Sequence, residues 1–598
     1  MRAFRPRDIF HLRRLHDIAM SPDGAAVAYC LADPDPTSGG YRRSIYLLGT
    51  DAAAPRPLTR GPADHRPWFS PDGRHLAFLR RDAGVDQVHL LPLGGGEAVP
   101  LTVLRHGVDS YAWGPHGHQI AVLSSVGPAG PTMRQLYHFD LDGTWRQLSS
   151  DAFDHADAVF APAGRHIACT LTSAAGDMAV ATVPVDGGPW RLLTPWQARW
   201  ARPVFAPDGG SLFAFGCKGD EEPSLWRIDL AGQSARVSGA PWPGAFAGYV
   251  QDDVPVRPDL FVTGDGQALL ALLCSEGAAA LARCSIASGR WQVEPTQGLS
   301  IQSFATTSAG DRFALLAAPA GSPPEVLVRD EDGQVALRSD HHELFLADAT
   351  LAAPEHLGGT AFDAGLLLPP GDLRAMPLAL VLADPPDSAT GGVSSLLAQA
   401  LRGQGLAVLR LALRPAEAAQ AAQDPATLLL EMESLMLRCG TLHQGIDTSR
   451  VAVVGEGVGG YLALMLLSRT TDAWRAAVAI GAPTDLFSLW GSGDLREATA
   501  LSGLAPPWQD PEPYLRGSPL LQAHHMQASV LLVHGANDSV VPAHHTEELC
   551  LALRTLERPV RCEIYEGLGH ALLREAPLRL QAQILELIAG WTADQLAR

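Results

Sequence analysis

Val451-Ala452-Val453-Val454-Gly455-Glu456-Gly457-Val458-Gly459-Gly460-Tyr461-Leu462-Ala463 reads as a buried strand, a sharp turn and the start of an apolar helix. That is the frame G-x-S-x-G of a nucleophile elbow, in which a strained turn lifts a reactive hydroxyl above the edge of a sheet. Here the lifted position is Gly457, which has no side chain. Glycine tolerates such dihedrals better than serine, so the turn is expected to form without its reactive atom.

Two further turns follow in the chain order nucleophile, acid, base. Val530-Leu531-Leu532-Val533-His534-Gly535-Ala536-Asn537-Asp538 is a buried strand whose turn presents Asp538, the acid candidate. Tyr565-Glu566-Gly567-Leu568-Gly569-His570 is a strand followed by a glycine-rich turn that presents His570, the base candidate. Both lie where loops leave the carboxyl ends of strands, the usual place for chemistry in open α/β sheets. Singly, Asp538 could be a turn residue and His570 a helix cap; the order and frame of all three turns favour one site.

On these residues the chain resembles the prolyl oligopeptidase family of serine peptidases, most closely its acylaminoacyl-peptidase-like branch. The family's G-x-S-x-G-G-Y is matched from Gly455 to Tyr461 except at the nucleophile, its H-G-x-x-D-x-x-V-P from His534 to Pro542, and its G-x-G-H from Gly567 to His570. Ile446-Asp447-Thr448-Ser449-Arg450, Gly481-Ala482-Pro483-Thr484-Asp485 and Ser518-Pro519-Leu520 add smaller matches. The resemblance implies that Asp538 and His570 are the catalytic acid and base, and that Gly457 occupies the nucleophile position. It also places His-Gly-Gly-Pro after the strand ending near Leu382, where glycine amides help to bind the oxyanion. This chain has Ala383-Asp384-Pro385-Pro386 there. Pro385 and Pro386 have no N–H to donate, and a carboxylate at Asp384 facing the site would oppose developing negative charge. The backbone N–H of Val458, the other implied donor, is kept. The family's arginine- and glycine-rich segment after the following strand is unrecognisable in residues 411–418.

The amino-terminal half repeats. Turn tetrads of the S-P-D-G kind start at Ser21, Ser70, Gly114, Ala161, Ala206, Thr263 and, more weakly, Ser308. Spacings of 49, 44, 47, 45, 57 and 45 residues point to propeller blades of about four strands each. Many units close on a short pair: Leu58-Thr59, Leu101-Thr102, Leu148-Ser149, Leu193-Thr194. The expectation is an all-β seven-bladed propeller over residues 21–340, after an N-terminal segment 1–20. An α/β-hydrolase domain over 345–598 follows, with a doubly wound, mostly parallel sheet. Its strands read at 377–383, 406–411, 451–454, 476–480, 530–534 and 561–565. Its helices read at 425–438, 459–469, 544–556 and 577–595, the first with Asp424 as N-cap and proline at the first helical position.

Composition agrees with two large domains: 598 residues, 46% hydrophobic and 18% charged. No apolar run is long enough to cross a bilayer, and Met1-Arg2-Ala3-Phe4-Arg5-Pro6-Arg7-Asp8 lacks the apolar core of a secretion signal, so the expected location is cytoplasmic. Eight scattered cysteines fit reduced thiols better than a disulfide framework, although one bridge remains compatible with the sequence. A net charge of −19 argues against nucleic acid or an anionic membrane as partner.

Other patterns carry less. Gly455, Gly457 and Gly460 spell G-x-G-x-x-G, but the next strand ends Ala479-Ile480-Gly481 with no acidic residue for a ribose hydroxyl. His341-His342, His524-His525 and His544-His545 are adjacent pairs and lack the i, i+4 spacing with which helical imidazoles share a metal. Glu221-Glu222 is similar to the acidic pair of dipeptidyl peptidases, yet between Asp220 and Pro223 a solvated loop is the better reading. No cofactor and no metal are therefore expected. The functional expectation is an inactive or strongly impaired peptidase homologue that holds a peptide or partner protein between its two domains. The alternative is a hydrolase in which His570 and Asp538 activate water. A homo-oligomer is compatible with either.

Overall fold

The computed structural model describes residues 2–35, 37–50, 54–61, 63–126, 133–173, 176–196, 198–218, 224–238, 249–251, 254–256, 260–275, 278–295, 298–358, 362–371, 374–383, 396–413, 425–469, 474–492 and 504–598. The expected N-cap Asp424, the oxyanion residues Asp384, Pro385 and Pro386, the segment 414–418 and the acidic pair Glu221-Glu222 lie outside these residues. Among the described residues no helix is long and apolar enough to cross a membrane.

Each propeller repeat follows one plan. In the first, Arg14–Met20 pairs antiparallel with Ala26–Asp35, which pairs with Gly40–Gly49 and so with Arg56–Pro57. The tetrad joins the first two strands: the Gly24 N–H donates to the Ser21 carbonyl at 2.9 Å, with Gly24 at φ 70°. Equivalent bonds recur at Gly73, Gly117, Gly164, Gly209, Gly266 and Gly310. The last runs to Thr307, so the seventh tetrad starts one residue before the expected Ser308. Gly209 abuts Pro162, Gly266 abuts Pro207 and Gly310 abuts Thr263, while Gly24 abuts Thr307 and closes the ring. The closing pairs also acquire a reason. Hydroxyls of Thr59, Thr102, Ser149 and Thr194 accept backbone N–H groups of Ile45, Val88, Leu136 and Val180 at 2.8–3.0 Å, tying outer strand to third strand.

Seven separate blades is nevertheless the wrong count of sheets. Five four-stranded sheets stand alone, whereas the strands from Asp154 to Arg236 form one eight-stranded sheet. Met178 pairs with Ala198 across the boundary between two repeats and merges them. The sequence period counts turns, and a turn count does not register an edge that pairs onward.

The C-terminal sheet needs a correction too. Its strands are β1 (Glu355–His356), β2 (Phe362–Leu367), β3 (Met376–Ala383), β4 (Ala407–Leu413), β5 (Ile446–Glu456), β6 (Trp474–Ile480), β7 (Ser529–Gly535) and β8 (Val560–Tyr565), in spatial order β1-β2-β4-β3-β5-β6-β7-β8. The expected doubly wound, mostly parallel sheet is a mixed one: β1 with β2 and β2 with β4 are antiparallel, and the pairings from β4 through β8 are parallel. The leading pair had no clear strand signal, because Phe362 to Leu367 includes Asp363 and Gly365 and alternates poorly.

Alternate residues of the sheet bury on opposite faces. Leu378, Leu380, Val451, Val453, Val530 and Leu532 join one core with helices α2 (Pro425–Leu442), α3 (Val458–Arg469), α4 (Leu486–Ser492) and α5 (His544–Thr555). Ala379, Val381, Ala452, Val454, Leu531 and Val533 join a second core with α1 (Leu396–Gly403) and α6 (Leu578–Ala597). That second core also takes Phe4, Ile9 and Leu12, so the start of the chain is built into the hydrolase side of the molecule. Arg2 fixes it there through ion pairs to Asp8 and Asp348. The preference for reduced thiols is corrected at one pair, since Cys550 on α5 and Cys562 on β8 form a disulfide. Twelve residues separate them, and sequence spacing alone did not bring a helix and the neighbouring strand into register.

Candidate active site

The elbow is set by close backbone packing. Gly457 has φ 54°, its N–H donates to the Ile480 carbonyl at 2.8 Å, and its own carbonyl accepts the Tyr461 N–H at 3.0 Å, which starts α3. A side chain at Gly459 would place its Cβ 2.4 Å from the Leu382 carbonyl oxygen. Helix α3 can therefore approach the end of β3 only through glycine. Val458, buried, is the first helical residue, and N–H groups of a first turn have no intrahelical acceptor.

Asp538 and His570 meet beside this turn. His570 Nδ1 lies 2.8 Å from Asp538 Oδ2, with the carboxylate fully buried and the imidazole 26% exposed. Donation from Nδ1 to the carboxylate leaves Nε2 as the basic nitrogen of His570. Gly481, next after Ile480, is the link to the elbow: a Cβ built on it would lie 3.6 Å from both Asp538 Oδ2 and His570 Nδ1. The Gly481 N–H is held by the Val533 carbonyl at 2.9 Å.

Two further histidines support this pair. His534 is buried at the end of β7, with Nε2 2.8 Å from the Val541 carbonyl and 3.3 Å from Asp538 Oδ2, and Nδ1 2.7 Å from Thr546 Oγ1. A carbonyl must receive a proton, so Nε2–H faces Val541 and Asp538 while Nδ1 accepts from Thr546. His545 is buried on α5, and its Nδ1 accepts the N–H groups of Thr484 and Asp485, both at 3.3 Å. Burial, reinforced by nearby His544 and His534, pushes its pKa down to about 3, so it serves as a neutral acceptor fixing the loop beyond Gly481. The position of His534, four residues before Asp538, was the available sequence signal; His545 carried none.

Burial raises the Asp538 pKa, but hydrogen bonds from His534 and His570, with backbone N–H groups of Val540 and Val541 on Oδ1 at 2.9 and 2.8 Å, outweigh it and hold the carboxyl at about 2. A folded-state pKa below the ordinary aspartate value of 3.8 stabilises the protein above pH ~4, and this contribution is lost as pH falls toward 2. At 1.36 kcal/mol per unit it amounts to about 2 kcal/mol. Asp538→Asn should thus flatten the acid limb of stability between pH ~4 and ~2, measured by denaturant unfolding at each pH. An unchanged acid limb would assign the pH dependence elsewhere.

A cavity of about 1120 Å³ lies in the propeller. It is lined mostly by the innermost strands of the repeats, with Arg43 and Arg134 added from third strands, and none of Gly457, Asp538 and His570 lines it. Its rim meets the hydrolase side where Arg14 Nη2 lies 3.4 Å from Gln581 Oε1 on α6.

Residues 441–596 match the model of the Prolyl oligopeptidase family. Over 98% of its length the chain is 22% identical to the uncharacterized peptidase YuxL of Bacillus subtilis, covering 99% of that protein. A shorter stretch, 22% of this chain and 19% of the relative, is 28% identical to the human acylamino-acid-releasing enzyme. Among solved structures, the acylaminoacyl peptidase of Pyrococcus horikoshii superposes with a TM-score of 0.83 at 14% identity, all of each chain covered. The chain is accordingly a homologue of the prolyl oligopeptidase family peptidases, with their propeller-and-hydrolase architecture.

Proposed function

We propose that this protein is a prolyl-oligopeptidase-type homologue that holds a peptide or a partner protein between propeller and hydrolase domain without cleaving it. The observation that carries the reading is an elbow with glycine at the nucleophile position, beside an Asp538–His570 pair whose geometry is that of a working acid and base. Removing the nucleophile of a serine peptidase costs on the order of a millionfold in turnover. The loop composition at Asp384, Pro385 and Pro386 supports the same conclusion, since lost oxyanion donors cost about a hundredfold or more each. Val458 N–H is then the remaining donor.

A second reading is favoured by the intact Asp538–His570 hydrogen bond: His570 Nε2 takes a proton from a water that attacks an ester or peptide carbonyl directly. Turnover of acetylated peptide anilides and p-nitrophenyl esters by wild type and His570→Ala separates the two. Equal rates are expected. Wild-type turnover that vanishes in the variant would replace the binding reading by the hydrolytic one.

A further inference from the structure

Four charged residues of the propeller cavity hold a backbone conformation that side chains rarely adopt. Asp17, Arg66, Asp157 and Arg202 have φ of 54°, 51°, 52° and 55°. Each sits four residues before its turn tetrad, at the bulge where the innermost strand of its repeat shifts register. Such outliers persist only where the surroundings impose them. Here neighbouring repeats do so in pairs: Asp17 Oδ2 accepts the backbone N–H of Arg66 at 3.0 Å, and Asp157 Oδ2 accepts that of Arg202 at 3.1 Å. His16 Nδ1 adds a second contact on Asp17 at 2.8 Å.

The consequence is an asymmetry of charge. The aspartates are engaged by backbone and imidazole, whereas the guanidiniums are not needed for those links. Arg66 gives one N–H to the Asp109 carbonyl, Arg202 faces Asp157 Oδ1 at 3.4 Å, and both arginines line the cavity. Five arginines against three aspartates line the cavity, and with Arg134 taken up by a two-point ion pair to Asp154 outside the lining the excess is one cation, in a chain of net charge −19. An inward-facing excess of cations inside an anionic protein concentrates anions, and the planar guanidinium fork matches a carboxylate.

We propose that the propeller cavity is a binding site for carboxylate-bearing peptides, with Arg66 and Arg202 as the residues that grip the carboxylates. It deepens the peptide-binding reading above and rests on it for the nature of the ligand. Acidic side chains and a free C-terminus present the same group, so both sources belong in the test.

The test is calorimetric titration of wild type and an Arg66→Asn/Arg202→Asn variant. Asparagine accepts the left-handed conformation and keeps the backbone N–H donors to Asp17 and Asp157, so only the cations are removed. Three probes are used: acetyl-Ala-Glu-Ala-Glu-Ala-amide, its glutamine counterpart, and that counterpart with a free carboxyl terminus. Wild type should bind the glutamate peptide at least about tenfold more tightly than the glutamine amide, with the gap narrowing as salt is added. The variant, with an unchanged melting midpoint, should bind both alike. A preference for only the free-terminus probe assigns the site to the peptide end. Equal wild-type affinities, or a preference surviving in the variant, would overturn the anion site while leaving peptide binding in place. If no peptide binds but succinate raises the melting midpoint of wild type and not of the variant, the anion site stands and the peptide reading falls; no response to any probe rejects both.

Discussion

Gly457→Ser is expected to turn a protein that fluorophosphonates leave untouched into one they label. The site needs little else for that step. The Gly457 N–H bonds Ile480, Gly481 lies against both members of the Asp538–His570 pair, and His570 already donates Nδ1–H to the carboxylate, so Nε2 is set to accept a hydroxyl proton. A left-handed φ of 54° strains serine at a cost of order 1 kcal/mol, which the packed elbow can bear. Ester hydrolysis should rise at least about a hundredfold over wild type, well short of the millionfold that a nucleophile contributes in a complete site. Peptidase activity should stay negligible, because Pro385 and Pro386 offer no amide donors. Adding Ala383→His, Asp384→Gly and Pro385→Gly should raise it further. Full peptidase activity from Gly457→Ser alone would show that the oxyanion loop had not been a second lesion.

Gly459→Ala should cost about 3 kcal/mol of stability, the upper end of ordinary overpacking. Its Cβ would lie 2.4 Å from the Leu382 carbonyl oxygen and 3.0 Å from Leu382 Cβ, and neither β3 nor α3 can yield without disturbing both buried cores. Gly590→Ala is the matched control. It lies within α6 with nothing inside 4 Å of the added methyl, so it should stabilise by roughly 1 kcal/mol through helix propensity. Urea unfolding of both variants checks the pair, and a Gly459→Ala protein as stable as wild type would refute the contact.

Much of the site was legible because its parts are local. Strand, turn and helix around Gly457 are specified within thirteen residues, and Asp538 and His570 each end a strand-turn unit. Their meeting at 2.8 Å depends on β7 and β8 being neighbours, which chain order suggested. The support beneath was not legible. His545 reaches Thr484 and Asp485 across sixty residues, and nothing in the doublet His544-His545 distinguishes a buried acceptor from a surface pair. In the propeller the tetrads revealed the repeat but not the single Met178–Ala198 pairing that fuses two sheets. The bulges at Asp17, Arg66, Asp157 and Arg202 escaped because a charged residue in an alternating strand gives no sign of positive φ.

The elbow is formed and lacks only its nucleophile. Intact-mass spectrometry after exposure to a fluorophosphonate tests it most directly, comparing wild type with Gly457→Ser. Wild type should keep its mass, and the variant should gain one phosphonyl adduct that peptide mapping places at position 457 and that His570→Ala removes. An adduct on wild type that depends on His570 would contradict the claim.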